Sequence, residues 1–169
     1  MTLSQIGKSV YYAVGAPATN DAAGFEALTW IKIPGYQGGF QFGLNHDNID
    51  VPDLEQGDTK TVRGMASYPD STGTFRYRSE SALREAQDDF IEEVEKPGSP
   101  VHCIKIVRAT GTASTDGGRN PATGDQTEYA SGYFHSPIDM EQTATTHEGF
   151  STTFKQNERA VKAAHPTVT

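Results

Sequence analysis

The 169-residue chain is short of the side chains that build large cores. Leu, Ile, Val and Phe together number 30, about 18% of the residues, just under the level at which chains tend toward disorder. The charge is only −8 and aromatic residues reach 9%, so the composition reads as one modest core with long polar excursions. A chain built this way gains stability when an assembly buries more of its surface. Cysteine is nearly absent. The single Cys103 excludes an internal disulfide and a cysteine zinc cluster, and its setting, Val101-His102-Cys103-Ile104, reads as that of a small buried hydrophobe. No run of 18 apolar residues exists, so no membrane-spanning helix is expected. Residues 8–18 resemble a secretory signal only faintly, with two Tyr and a Gly in a short apolar stretch, and the reading is a protein made in a cytoplasm. Basic residues are outnumbered 14 to 22, which leaves no clustered cationic surface of the kind that reads DNA.

Motifs of catalysis are missing as well. Neither G-x-x-x-x-G-K-[ST], G-x-G-x-x-G nor G-x-S-x-G occurs, and none of the five His is paired at the H-E-x-x-H spacing. No cofactor and no enzymatic activity are expected. The strongest candidate for ligand chemistry is an acidic stretch holding Asp47, Asp50, Asp53, Glu55 and Asp58. A hard cation wants several oxygens, so calcium is conceivable, but the EF-hand spacing is absent and a solvated loop is the favoured reading.

What is present is Thr, 19 residues of it, and Gly, 17, which favours pleated structure broken by turns. Residues 1–24 read as an N-terminal arm. Residues 25–33, with Leu28 and Trp30 on one side and Ile31 and Ile33 on the other, read as the first strand. Pro34-Gly35 marks a turn, and Phe40 and Phe42 alternate in a short strand. Residues 45–58 read as an acidic, turn-rich segment. Residues 59–64 and 72–78 read as a hairpin, with Phe75 and Tyr77 on one face. One helix is expected over about 81–95: Ser81 could cap it, Leu83, Ala86, Phe90 and Val94 form one stripe, and Pro97-Gly98 ends it. Residues 101–109 make the best strand, carrying Ile104 and Ile106. Residues 110–127 form a long loop without a large apolar side chain, functional or disordered. Strands resume at 128–136 and 143–154, the latter with Phe150 and Phe154 on one face, and residues 155–169 read as a polar tail. The order of strands, one helix and strands predicts a mainly antiparallel β-sandwich or barrel with one flanking helix and extended terminal arms, in a single domain. Its expected core holds Trp30, Phe75, Tyr77, Phe90, Ile104, Ile106, Phe150 and Phe154.

The segments Leu28-Thr29-Trp30-x-x-Ile33, Gly39-Phe40-Gln41-Phe42-Gly43, Asn48-Ile49-Asp50-Val51, Lys60-Thr61-Val62-Arg63-Gly64 and Gly73-Thr74-Phe75-Arg76-Tyr77, followed by the helix and the strand at 101–108, resemble in order and spacing the major tail proteins of siphophages. The likeness spans roughly residues 25–154 and leaves out the loop at 110–127. It implies a tail tube subunit: copies in rings of six, rings stacked around a channel that DNA traverses without specific binding, other tail proteins at the tube ends, and no membrane partner. A related ring-forming tube or terminator protein is the alternative, and a small β-sandwich that binds sugar or calcium a more distant one. DNA carries about one negative charge per 1.7 Å of axis, so a polar or acidic wall repels it where a cationic one would hold it. Asp47, Asp50, Asp53, Asp116 and Arg119 are expected at contacts between subunits.

Overall fold

A computed structural model describes residues 6–98 and 100–167; the outermost parts of both expected arms, residues 1–5 and 168–169, lie outside the described residues. Among the described residues ten strands and two helices follow one another: β1 (Lys8–Val14), α1 (Ala22–Glu26), β2 (Ile31–Ile33), β3 (Tyr36–Gly38), β4 (Asn45–Asp53), β5 (Asp58–Ser67), β6 (Asp70–Arg76), α2 (Ser81–Glu95), β7 (His102–Arg108), β8 (Gln126–Asp139), β9 (Gly149–Gln156) and β10 (Val161–Ala164). Eight of the strands form one antiparallel sheet in the order β2-β1-β7-β8-β9-β6-β3, with β10 also on β8; β4 and β5 form a separate two-stranded sheet.

The first and last strands of that order, β2 and β3, are separated in sequence by Pro34 and Gly35 alone. The large sheet therefore rolls up until its two ends meet. Gly35, at φ 83°, accepts a hydrogen bond from Arg76 N at 2.8 Å, and a Cβ there would lie 2.2 Å from the Arg76 carbonyl oxygen, so only glycine fits the seam. Gln87 of α2, fully buried, closes it: its Nε2 donates to the Pro34 and Arg76 carbonyls, both at 2.8 Å, and its Oε1 accepts from Arg78 N at 3.0 Å.

Inside the roll lies the main core, with Val10, Tyr12, Ile33, Phe75, Phe90, Ile104, Ile106, Ala130, Phe134, Phe150 and Phe154 all buried. Phe90 stands at its centre. Its ring is 4.9 Å from Tyr12 and meets Phe134 edge-on at 5.1 Å, an arrangement the ring quadrupoles favour. Tyr77 packs against this core partly buried. Trp30 belongs to a second cluster on the outer face of β1, β7 and β8, where Ala13, Phe25, Cys103 and Tyr129 are covered by α1 and β10. Being covered on both faces, β7 is buried along almost its whole length. Burial pushes the Cys103 thiol up to about 11, which suits an inert side chain.

Several expectations need correction. The N-terminal arm is no arm beyond residue 7, since residues 8–14 pair with β7 over seven residues and with β2. The C-terminal tail likewise contains the end of β9 and all of β10. The expected strand at 25–33 is split: Asp21 caps α1 by accepting from Gly24 N at 2.7 Å, and only Ile31–Ile33 pairs as strand. Tyr36–Gly38 takes the place expected for Phe40 and Phe42, which instead pack on the core from a loop. The expected hairpin of 59–64 with 72–78 does not form, because β5 pairs with β4, and β6 pairs with β3 and β9. Helix α2 spans residues 81–95 as expected, but Glu80 occupies the cap position and makes no side-chain cap bond. Pro97 ends it by forcing Lys96 into an extended conformation, ψ 136°.

Two substitutions test the packing. Phe90→Ala should cost about 3–5 kcal/mol, the range for emptying a buried aromatic site, and denaturant unfolding measures it. Gln87→Leu keeps the volume but removes three bonds to backbone groups, the one to the Pro34 carbonyl fully buried, so a loss of about 1–3 kcal/mol is expected; unchanged stability would show that the seam closes without it.

Candidate assembly surface

The most exposed part of the molecule is the β4–β5 ribbon. Eight of nine residues of β4 and nine of ten of β5 are exposed. Both strands reach full length because the tip is well made: Asp53 Oδ1 accepts from the amides of Glu55 at 3.0 Å and Gln56 at 3.1 Å, and Gly57 turns at φ 67°. Pro52 is tolerated because it lies on an edge. Ile49 pairs with Val62 and Val51 with Lys60, and the two-residue side-chain period gathers Ile49, Val51 and Val62 on one face. Each of these three is about half exposed, and Leu54 at the tip is 96% exposed. An isolated two-stranded ribbon is marginally stable in water, and its unpaired edges offer backbone donors and acceptors to another chain.

Of the residues expected at subunit contacts, Asp47, Asp50 and Asp53 lie together on β4. Asp50 accepts from Thr61 Oγ1 across the ribbon at 3.3 Å. Asp116 and Arg119 lie elsewhere, on the long loop, and are engaged within the chain. The Asp116 carboxylate is buried and pairs with Lys32, while its carbonyl accepts from Arg78 Nη2 at 3.0 Å; Arg119 Nη1 donates to the Gly111 carbonyl at 3.1 Å. The long loop, expected to be functional or disordered, is tied down at its far end too. Asp125 accepts from Thr110 N at 2.9 Å, Ala122 N at 2.7 Å and Thr110 Oγ1 at 2.5 Å. Burial opposes the charge on both acids, but these hydrogen bonds and Lys32 outweigh it and hold both carboxyls below the ordinary range. The apolar ribbon positions Ile49, Val51 and Val62 were missed as an interaction surface; their signal is the alternation Ile49-x-Val51 hidden among acids.

Among the described residues no group of three or more His, Cys, Asp or Glu is placed to hold a metal ion, and no helix is long and apolar enough to cross a membrane. The acidic residues at 47–58, where calcium was conceivable, are spread along the ribbon, with Asp53 and Asp58 facing each other as cross-strand partners.

The fold is similar to that of chains in solved structures of injection particles. A chain from the tube-terminating cap of the anti-feeding prophage superposes with a TM-score of 0.59 at 14% identity, over 98% of this chain and 93% of that one. A chain from the six-fold symmetrised baseplate of the same particle gives 0.56 at 10% identity, with 95% of each covered. A chain from the extended sheath–tube complex of an extracellular contractile injection system gives 0.53 at 17% identity, over 92% and 88%. No family model matches the sequence, and no curated protein matches it.

Acid should destabilise the fold in two stages, first at His102 in β7 and then at the long loop. His102 is buried and held below its ordinary value of 6.5 by burial, with Glu93 opposing, so protonation favours the unfolded chain as pH falls below about 6.5. Asp116 and Asp125 lie below their ordinary 3.8, so their contribution is complete above that value and is lost as pH drops through their folded values. Asp125→Asn should therefore lower the Tm at pH 7 and differ less from the parent near pH 3. A Tm difference independent of pH would exclude the carboxylate as the anchor.

Proposed function

We propose that this chain is a structural subunit of a phage tail tube, with no enzymatic activity, whose copies close into rings of six and stack around a channel for DNA. The observation that carries the proposal is the ribbon: a 23-residue projection with an apolar stripe on one face and two free edges, set on a core too small to cover it. Such a surface is satisfied by a neighbouring copy. Contact between the ribbon and a different surface of the next copy is head-to-tail, which propagates into rings or open-ended stacks. The neighbours of like fold come from assembled tubes, caps and baseplates, one of them six-fold symmetrised, which supports self-assembly with other tail proteins at the ends. Their particles are contractile, whereas the sequence resemblance is to siphophage tails; the non-contractile tail is our reading, with the subunit made in the host bacterial cytoplasm and ending in the virion tail. The acidic composition suits a wall along which DNA slides.

The likeness to a tube-terminating cap favours a second reading, a tail terminator that forms one ring and stops. Electron microscopy of the purified protein separates the two: open-ended tubes of stacked six-fold rings are expected, and single rings that never elongate would indicate the terminator. Monomers at all concentrations would overturn both. Replacing residues 48–63 with an Asn-Gly turn should leave the rolled sheet folded, with the Tm shifted by only a few degrees, and abolish tubes. Wild-type tube yield from that variant would remove the ribbon from assembly.

A further inference from the structure

The ribbon's own root carries a surface complementary to its tip. Between β10 and the start of the ribbon runs a groove of about 470 Å³, lined by Phe42, Leu44, Tyr68, Arg159, Ala160 and Lys162. Its floor is apolar, with Leu44 left 44% exposed. Its rim is cationic. Lys162 is well exposed and meets Glu128 only at 3.8 Å. The Arg159 carbonyl accepts from Asn20 Nδ2 at 3.2 Å, and its guanidinium is in no ion pair among the described residues.

The ribbon face that bears Ile49, Val51 and Val62 also bears, by the same two-residue period, Lys60 opposite Val51, and Asp53 with its partner Asp58 at the tip. The ribbon thus offers an apolar stripe that ends in two carboxylates beside one lysine, a tip of net negative charge, and the groove an apolar floor beside two cations. They cannot meet within one chain. Leu44 and Tyr68, which flank the ribbon where it starts and ends, are part of the groove wall, and the nine residues of β4 carry the tip roughly 30 Å away at about 3.4 Å per residue. Bringing the tip back would break the ladder.

We infer that the groove between β10 and the ribbon root receives the ribbon of a second copy of this chain, with Asp53 and Asp58 set against Arg159 and Lys162. This rests on the tube reading above and names the receiving surface within it. Donor and acceptor sit at opposite ends of one ribbon, so each copy that docks presents a fresh ribbon to the next, and growth stays open-ended. Contact between opposite charges also fixes register more than it adds affinity, which is what a stacked assembly requires.

Charge exchange tests this on the full chain. The groove variant Arg159→Glu/Lys162→Glu and the ribbon variant Asp58→Lys alter exposed positions and spare the Asp53 bonds that form the tip, so both should keep the parent's circular dichroism and melt. Each alone should lower the pelleted, tube-forming fraction at least tenfold. Mixed in equal amounts they should co-assemble, because each ribbon then finds an opposite-signed groove, and the three changes combined in one chain should restore assembly. A milder groove variant, Arg159→Gln/Lys162→Gln, should raise the concentration needed for tubes. Wild-type tubes with either charge-reversed variant assembling equally well would overturn the groove assignment and leave the tube reading standing. So would a mixture that stays dispersed, or charge-sensitive growth that stops at two-fold dimers. A parent chain that forms no tubes would remove the tube reading itself, and the groove assignment with it.

Discussion

The fold depends on the closure of one sheet upon itself. Seven strands in line, ending in β2 and β3, would leave two open edges and an uncovered apolar face; joining those ends through Pro34-Gly35 removes the problem only if the turn is held against β6. Gln87 does that from the helix, with three hydrogen bonds to backbone groups on both sides of the turn, the one to the Pro34 carbonyl fully buried. One turn further along the same helix, Phe90 fills the centre of the roll. Closure, core and helix position are therefore one cooperative unit, and a polar side chain at a fully buried position is its keystone.

That economy has a consequence. Of only 30 large aliphatic and Phe side chains, all eight Phe lie in or against the core inside the roll and the cluster under α1 and β10, while ten Ile, Leu and Val among the described residues stay exposed. Nothing remains to cover the ribbon, which keeps its apolar stripe in water. In a monomer this would be an aggregation hazard. In a subunit it is an interface awaiting its partner, and the acids around the stripe limit which partner fits. The same division explains why the long loop is pinned by Asp116 and Asp125: with no large apolar side chain to anchor it, carboxylates do so through hydrogen bonds and an ion pair.

Helix α2 was legible because its stripe repeats at 3.6 residues and Pro97 stops it, and β7 because it is apolar on both faces. The ribbon was hidden. Asp47, Asp50, Asp53 and Pro52 read as loop, since strand propensity assumes a half-buried pleat and this strand is buried on neither side. β1 was hidden for the opposite reason: Lys8–Val14 looks like a short arm, and only its pairing with β7 makes it central. Asp116, expected at a contact between copies, is spent on Lys32.

The sequence alone determined the class: little apolar mass, abundant Thr and Gly, a single amphipathic helix and the order of segments suffice for a mainly antiparallel β fold with a helix packed on it. These are local properties, set by side-chain period and backbone preference. Which strands pair, that the sheet closes at Gly35, that Gln87 is interior and that residues 45–67 stand out as a ribbon were decided only in three dimensions. Pairing partners lie tens of residues apart, and their choice depends on which faces the rest of the chain manages to cover.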